Sequence, residues 1–241
     1  MIKAILFDLD DTLLGNDIDT FMDSLFAGLG NSMADLLPAD EFRKALWNGS
    51  RAMIANVDPA LTNGAVFCQS FAAETGLSEA IIRQRLETFY HQDFVALKAH
   101  TAFEPAARPL IEYCFAQGYK IAIATNPLYP ATAIEQRLAW AGVPVSDFDY
   151  AMVTHMDNTH ATKPNRAYYR EICATIGVDP WETMMVGDSW ENDIDPADKL
   201  HMTTFWVAPD SAPNPAPLKA TSRGTLAKLY ECCQSGWLSS L

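Results

Sequence analysis

Long apolar runs are missing from this chain of 241 residues. None reaches the ~18 residues that a membrane-spanning helix needs, so no membrane partner is expected. Positive charge is scarce as well. Seventeen Lys and Arg face 30 Asp and Glu, a net charge of −13, which argues against nucleic acid or an anionic lipid surface as a partner. Cysteine is sparse: the five (Cys68, Cys114, Cys173, Cys232 and Cys233) are an odd number without framework spacing. Cys114 and Cys173 stand among apolar neighbours, as buried thiols do. Reduced cysteines in a cytoplasmic protein are the expectation. The opening "MIKAILF" is too short an apolar stretch for a signal peptide and runs straight into acids. No internal repeat is visible.

What is present is a hydrophobic fraction of 49% against 20% charged residues, enough to build a core. The length suits one core domain with a smaller insert. An acidic protein that handles anions must recruit positive charge locally, and a bound cation is one way to do so.

Five short apolar runs, at 4–7, 120–125, 151–154, 183–187 and 203–207, read as strands. They are nearly continuous rather than alternating, which suits strands covered on both faces of a parallel sheet. Helical segments lie between them: 105–117 before Gly118, 131–141 before Gly142 and 164–176 before Gly177. Proline near the start and glycine past the end is the expected helix asymmetry. The alternation predicts an α/β fold with a doubly wound, mostly parallel sheet, a Rossmann-like core.

Residues 15–99 break the alternation. Segments 21–37, 40–54, 63–74 and 78–98 read as helices, the last with Ile81, Ile82, Leu86, Phe89, Tyr90 and Phe94 on one stripe. No strand is expected there. An all-helical insert of that length is too long for a crossover, so it reads as a cap domain over a core of 1–14 and 100–241. Residues 209–217 carry four prolines and read as an extended loop, with a closing helix around Leu226, Leu229, Tyr230 and Cys233.

The first strand ends in "DLDDT", placing Asp8, Asp10 and Asp11 within four positions. Ligands of open α/β sheets bind beyond the carboxyl ends of the strands. One such acid can be turn chemistry. Asp8 and Asp10 together repel unless a cation or proton intervenes. Other strand ends contribute "ATN", with Thr125 and Asn126, and "GDSWEND", with Asp188 and Asp193, while "ATKPN" sets Lys163 before a helix. A parallel sheet brings these ends to one edge.

In those four stretches, in that order, the chain resembles the haloacid dehalogenase-like hydrolases. The insert resembles their α-helical type of cap. Two departures stand out: Asp195 and Pro196 follow the fourth stretch where many relatives have a Gly-Ala pair, and Asp11 stands where Gly is frequent. The resemblance implies phosphoryl transfer with Mg²⁺ held by Asp8, Asp188 and the backbone carbonyl of Asp10. Asp193 would orient ligand waters or Lys163. Asp8 would be the nucleophile, forming an aspartyl-phosphate, and Asp10 the general acid and base. Thr125, the backbone of Asn126 and Lys163 would bind the phosphoryl oxygens. Dehalogenases of the family put a non-acidic residue at position 10, since a halide needs no proton, so Asp10 points to phosphate esters.

The expected function is therefore Mg²⁺-dependent hydrolysis of a small phosphate monoester, a small phosphorylated metabolite. Two alternatives stay open: a phosphomutase acting on a sugar phosphate, and a catalytically weak phosphate-ester-binding protein. His155 and His160 read as members of a solvated loop, and Trp190 as a packing residue. Trp47, Phe89, Tyr90 and Phe94 read as core.

Overall fold

In β1 (Ala4–Phe7) all four residues are buried, and their side chains divide between two sides. Ile5 and Phe7 join one apolar cluster, Ala4 and Leu6 another. A strand with both faces covered has no polar face, which is why the run lacks alternation. The computed structural model that shows this describes residues 1–209, 211–213 and 220–240.

The remaining strands are β2 (Leu14–Asn16), β3 (Thr101–Phe103), β4 (Lys120–Ile123), β5 (Met152–Val153), β6 (Thr183–Gly187), β7 (Thr203–Val207) and β8 (Ser222–Gly224). The helices are α1 (Ile18–Ser32), α2 (Ala39–Ile54), α3 (Asn63–Thr75), α4 (Glu79–Gln92), α5 (Ala107–Ala116), α6 (Ala131–Trp140), α7 (Arg166–Ile176), α8 (Asp195–Asp198) and α9 (Leu226–Gln234). Six strands form one sheet in the order β5-β4-β1-β6-β7-β8, every neighbouring pair parallel. The first strand is thus central, with Phe7 opposite Ile123 on one side and Val186 on the other.

Helices α1 to α4 lie between β2 and β3, which pair antiparallel as a ribbon at the root of the insert. The sequence showed no strand over 15–99 and none at 101–103. Three residues of mixed polarity carry no periodicity, and neither does the equally unexpected β8. The segment 78–98 is not one helix: α4 ends at Asp93, and a 3₁₀ stretch, Phe94–His100, follows. The helix expected over 21–37 starts earlier and stops at Ser32. Pro105, Pro130 and Pro164 sit just outside α5, α6 and α7 rather than in their first turns. Asn165 and not Pro164 caps α7, its side chain accepting from the Ala167 N–H. Gly76 and Gly177 close α3 and α7 with left-handed backbone, φ +73° and +67°. Part of the extended loop expected over 209–217, including Pro215 and Pro217, lies outside the described residues.

The insert packs on α6. Phe94 stacks on Trp140 at 5.4 Å, Tyr90 meets Tyr129 edge to face, and the Gln136 amide donates to the Tyr90 carbonyl at 2.6 Å. Phe89, Tyr90 and Phe94 are buried, as expected, but Trp47 is 66% exposed and belongs to no core.

A second tie is polar. The buried Asn63 amide, in the first turn of α3, donates to Thr159 Oγ1 and to the Ala161 carbonyl, each at 3.0 Å, and accepts from Asn56. Its backbone N–H donates to the Thr159 carbonyl, the Gly64 N–H to Met156, and the Thr162 hydroxyl to the Ile54 carbonyl. The strap 154–163 that leads to Lys163 is therefore clamped beneath the insert. Thr154, Thr159 and Thr162 are buried, and His155 and His160 only partly exposed, so the strap is not the solvated loop expected. His160 is occupied by Glu171 at 2.6 Å. Replacing Asn63 with Ala strands several buried partners, each worth about 1–3 kcal/mol. We expect Asn63→Ala to lower unfolding free energy by that order in urea titrations monitored by circular dichroism.

Candidate active site

All seven residues singled out from the sequence, Asp8, Asp10, Thr125, Asn126, Lys163, Asp188 and Asp193, line one cleft of about 180 Å³. The parallel sheet produces this convergence. Asp8 follows β1 while its N–H still bonds the Val186 carbonyl at 2.9 Å. Thr125 and Asn126 follow β4, and Asp188 follows β6.

Asp8 is 6% exposed and Lys163 4%. The Lys163 ammonium donates to Asp8 Oδ1 and Asp193 Oδ1, both at 2.6 Å. Burial alone would push this ammonium's pKa down, but the Asp193 and Asp8 charges outweigh it and hold the pKa well above the ordinary value. Asn126 orients Lys163 from behind, its Oδ1 accepting the Lys163 N–H at 3.2 Å. Thr125 is held through its carbonyl, which accepts from Tyr168 and Thr154 hydroxyls at 2.7 and 2.8 Å.

Asp193 sits on a π-helical turn, Trp190–Ile194, a form that recurs at functional sites. The Ser189 N–H donates to Asp193 Oδ2 at 3.0 Å, pointing the carboxylate back over Gly187. A Cβ at position 187 would overlap that carboxylate, so glycine is required there for close approach. Trp190 packs edge to face on Trp206, whose indole N–H donates to the Asp188 carbonyl at 2.8 Å.

Oxygens of Asp8, Asp188 and Asp193 all lie within 4.8 Å of one another. Three ionised carboxylates and one ammonium leave two negative charges, which suits a hard divalent cation with oxygen ligands. Without one, burial first, then the Asp8 and Asp193 charges, push the Asp188 carboxyl from the usual 3.8 to about 8. Asp193 is likewise pushed up, chiefly by burial.

Asp10 behaves differently. It is pushed up to about 6, by burial first, with Arg137 opposing and Asp8 and Asp11 adding to the rise. Its side chain turns toward Arg137, which donates to Asp10 Oδ1 and is 1% exposed. The sequence reading passed over Arg137: one cation in "EQRLAW" looks like the wet face of an amphipathic helix. Asp11, at the position where the resemblance noted a frequent glycine, has φ +54°, in the left-handed region that glycine favours. Its carboxylate accepts the Asn16 N–H at 2.9 Å.

A family model for the haloacid dehalogenase-like hydrolases matches residues 2–200. The chain belongs to that family and is a hydrolase. It is 24% identical over 209 residues to a phosphoglycolate phosphatase of Psychrobacter arcticus, covering 86% of this chain and 83% of that protein. It is 28% identical over 221 residues to the pyrimidine 5'-nucleotidase PynA of Streptococcus pneumoniae, covering 88% and 86%. Its fold matches a putative hydrolase of the family, YfnB from Bacillus subtilis, solved with magnesium: TM-score 0.55, 21% identity, 95% and 97% coverage. No helix among the described residues is long and apolar enough to cross a membrane.

The Asp188 shift has a sign that can be measured. In chelator the folded protein keeps this proton up to about pH 8, whereas the unfolded chain releases it near its usual 3.8. Between those values the folded state binds more protons, so stability falls as pH rises. The expected outcome is a melting temperature that declines from pH 5 to pH 8 in chelator, with a shallower decline in Asp188→Asn. Thermal melts across that range check it.

Proposed function

We propose that this hydrolase is a Mg²⁺-dependent phosphatase of small phosphate monoesters, working through an aspartyl-phosphate on Asp8. The observation that carries the reading is the pairing of two unlike carboxylates in one cleft. Asp8 is bound to a buried ammonium, and Asp10, two residues on, is displaced upward into the range where it can give and take a proton near neutrality. The names of the curated relatives, a phosphoglycolate phosphatase and a pyrimidine 5'-nucleotidase, support a small phosphorylated metabolite as substrate.

Asp8, Asp188 and the backbone carbonyl of Asp10 would hold the ion, which supplies charge neutralisation between the acidic site and the phosphoryl oxygens. The chain's own residues do the rest. Asp8 Oδ attacks phosphorus while Asp10 donates a proton to the departing ester oxygen. Asp10 then takes a proton from the water that attacks the aspartyl-phosphate, releasing phosphate and restoring Asp8. Lys163 and Thr125 offer donors to the transferring oxygens, and Asp193 keeps Lys163 in line. Residues 15–99 serve as the cap over the core of 1–14 and 100–241, shielding the cleft and selecting the leaving group.

An acid at position 10 is needed for an alkoxide and superfluous for a halide, which favours ester hydrolysis over dehalogenation. Purified protein tested on a panel of phosphate monoesters should release phosphate with Mg²⁺ and none with chelator. Asp8→Asn should abolish release. Asp10→Asn should lower turnover of alkyl esters by ~10²–10⁴. Phosphate release from Asp8→Asn at the wild-type rate, with deamidation excluded by mass spectrometry, would overturn the assignment.

A further inference from the structure

Arg137 is a guanidinium buried to 1% exposure in the middle of α6. Its Nη2 donates both to Asp10 Oδ1 and to Asn16 Oδ1, the latter at 2.8 Å. The Asn16 amide also donates to Asp10 Oδ1, at 3.2 Å. The guanidinium lies over the ring of Phe21, on α1, at 4.6 Å, and over Tyr129 at 5.9 Å. Its Nε has no hydrogen-bond partner among the described residues. Packing does not ask for this residue. Replacing a whole buried ion pair by apolar side chains of similar volume is often neutral or stabilising, so packing alone does not account for a charge and an unpaired N–H at this position. What Arg137 does that methionine could not is act on Asp10.

Both bonds to Asp10 fall on one oxygen, Oδ1, and no bond to Oδ2 is present among the described residues. A guanidinium only donates. In a protonated carboxyl the carbonyl oxygen is the stronger acceptor, so two donors on Oδ1 favour the proton on Oδ2. We propose that Arg137 is the positioning residue of the general acid: it occupies Oδ1 of Asp10, confines the transferable proton to Oδ2, and fixes that oxygen's direction. Asn16 on β2 and Phe21 on α1 tie this placement to the root and the first helix of the insert. In the step, the ester P–O bond breaks as the Asp8–P bond forms. The Oδ2 proton moves to the departing alkoxide, leaving Asp10 as a carboxylate paired with Arg137. The inference rests on the phosphatase reading above.

Leaving groups separate this role from a structural one. An alkyl phosphate needs the proton, whereas p-nitrophenyl phosphate expels a stable anion and does not. The first half-reaction is read as alcohol or p-nitrophenol released in a single turnover, with enzyme in excess. Misplacing a catalytic group can cost ~10²-fold. Arg137→Met should therefore lose on the order of that factor with the alkyl ester and less than about threefold with the aryl ester. Arg137→Lys should recover part of the loss. Asn16→Ala, which leaves the packed interior intact, should show a smaller loss also confined to the alkyl ester. In an Asp10→Asn background, Arg137→Met should cost nothing more with either ester.

Equal losses on the two esters, or losses that multiply in the double variant, would overturn the proposal. If Arg137→Met does not fold, the Arg137→Lys and Asn16→Ala ratios decide by the same criterion. A wild-type protein that releases product from neither ester, nor from any in the panel, strikes instead at the phosphatase reading.

Discussion

The Lys163 ammonium, 2.6 Å from both Asp8 and Asp193, is the contact on which the rim of the sheet depends. Ionised carboxylates whose oxygens lie within 4.8 Å of one another repel by roughly 4 kcal/mol at an effective dielectric of 20, and here three converge with little water to screen them. One buried cation offsets part of that repulsion. The excess left on Asp188 suits a hard divalent ion, and on the proposed function the acidity that disfavours an anionic substrate would become the means of binding one. Much of the local architecture serves that ammonium: the Asn126 side chain behind it, the π-helical turn that aims Asp193, and the bare backbone of Gly187 that lets Asp193 close in.

The sheet was legible because its strands are covered on both faces, leaving unbroken apolar runs whose last residues could be read directly. Strands β1, β6 and β7 begin and end where those runs do, and Asp8 and Asp188 follow from them. Lys163 was legible only through its order among the other motifs. The ribbon β2–β3 and strand β8 were not legible, since three-residue strands are specified by their partners rather than by a pattern of their own. Nor was Arg137. Its burial is decided by Phe21 and Asp10, 116 and 127 positions away in the chain, and no local window contains that information.

Asp10 and Lys163 are both connected to the insert, by different routes. Asp10 reaches it through Arg137, Asn16 and Phe21. Lys163 reaches it through the strap clamped by Asn63. In the proposed mechanism the charge that moves a proton and the charge that binds phosphoryl oxygens would therefore both depend on the seating of helices that hold neither residue. On that proposal the insert would be part of the catalytic apparatus and not merely a cover for it.

The Asn63 clamp also bears on how these enzymes can be recombined. Because Thr159 and Ala161 complete the hydrogen bonding of a side chain from α3, the unit to keep intact in a chimera of this chain is the helical segment together with its strap, not the helices alone. A chimera that grafts only the foreign helices would inherit a mismatched underside and displace the lysine a few residues downstream. One that carries both pieces would keep that underside matched.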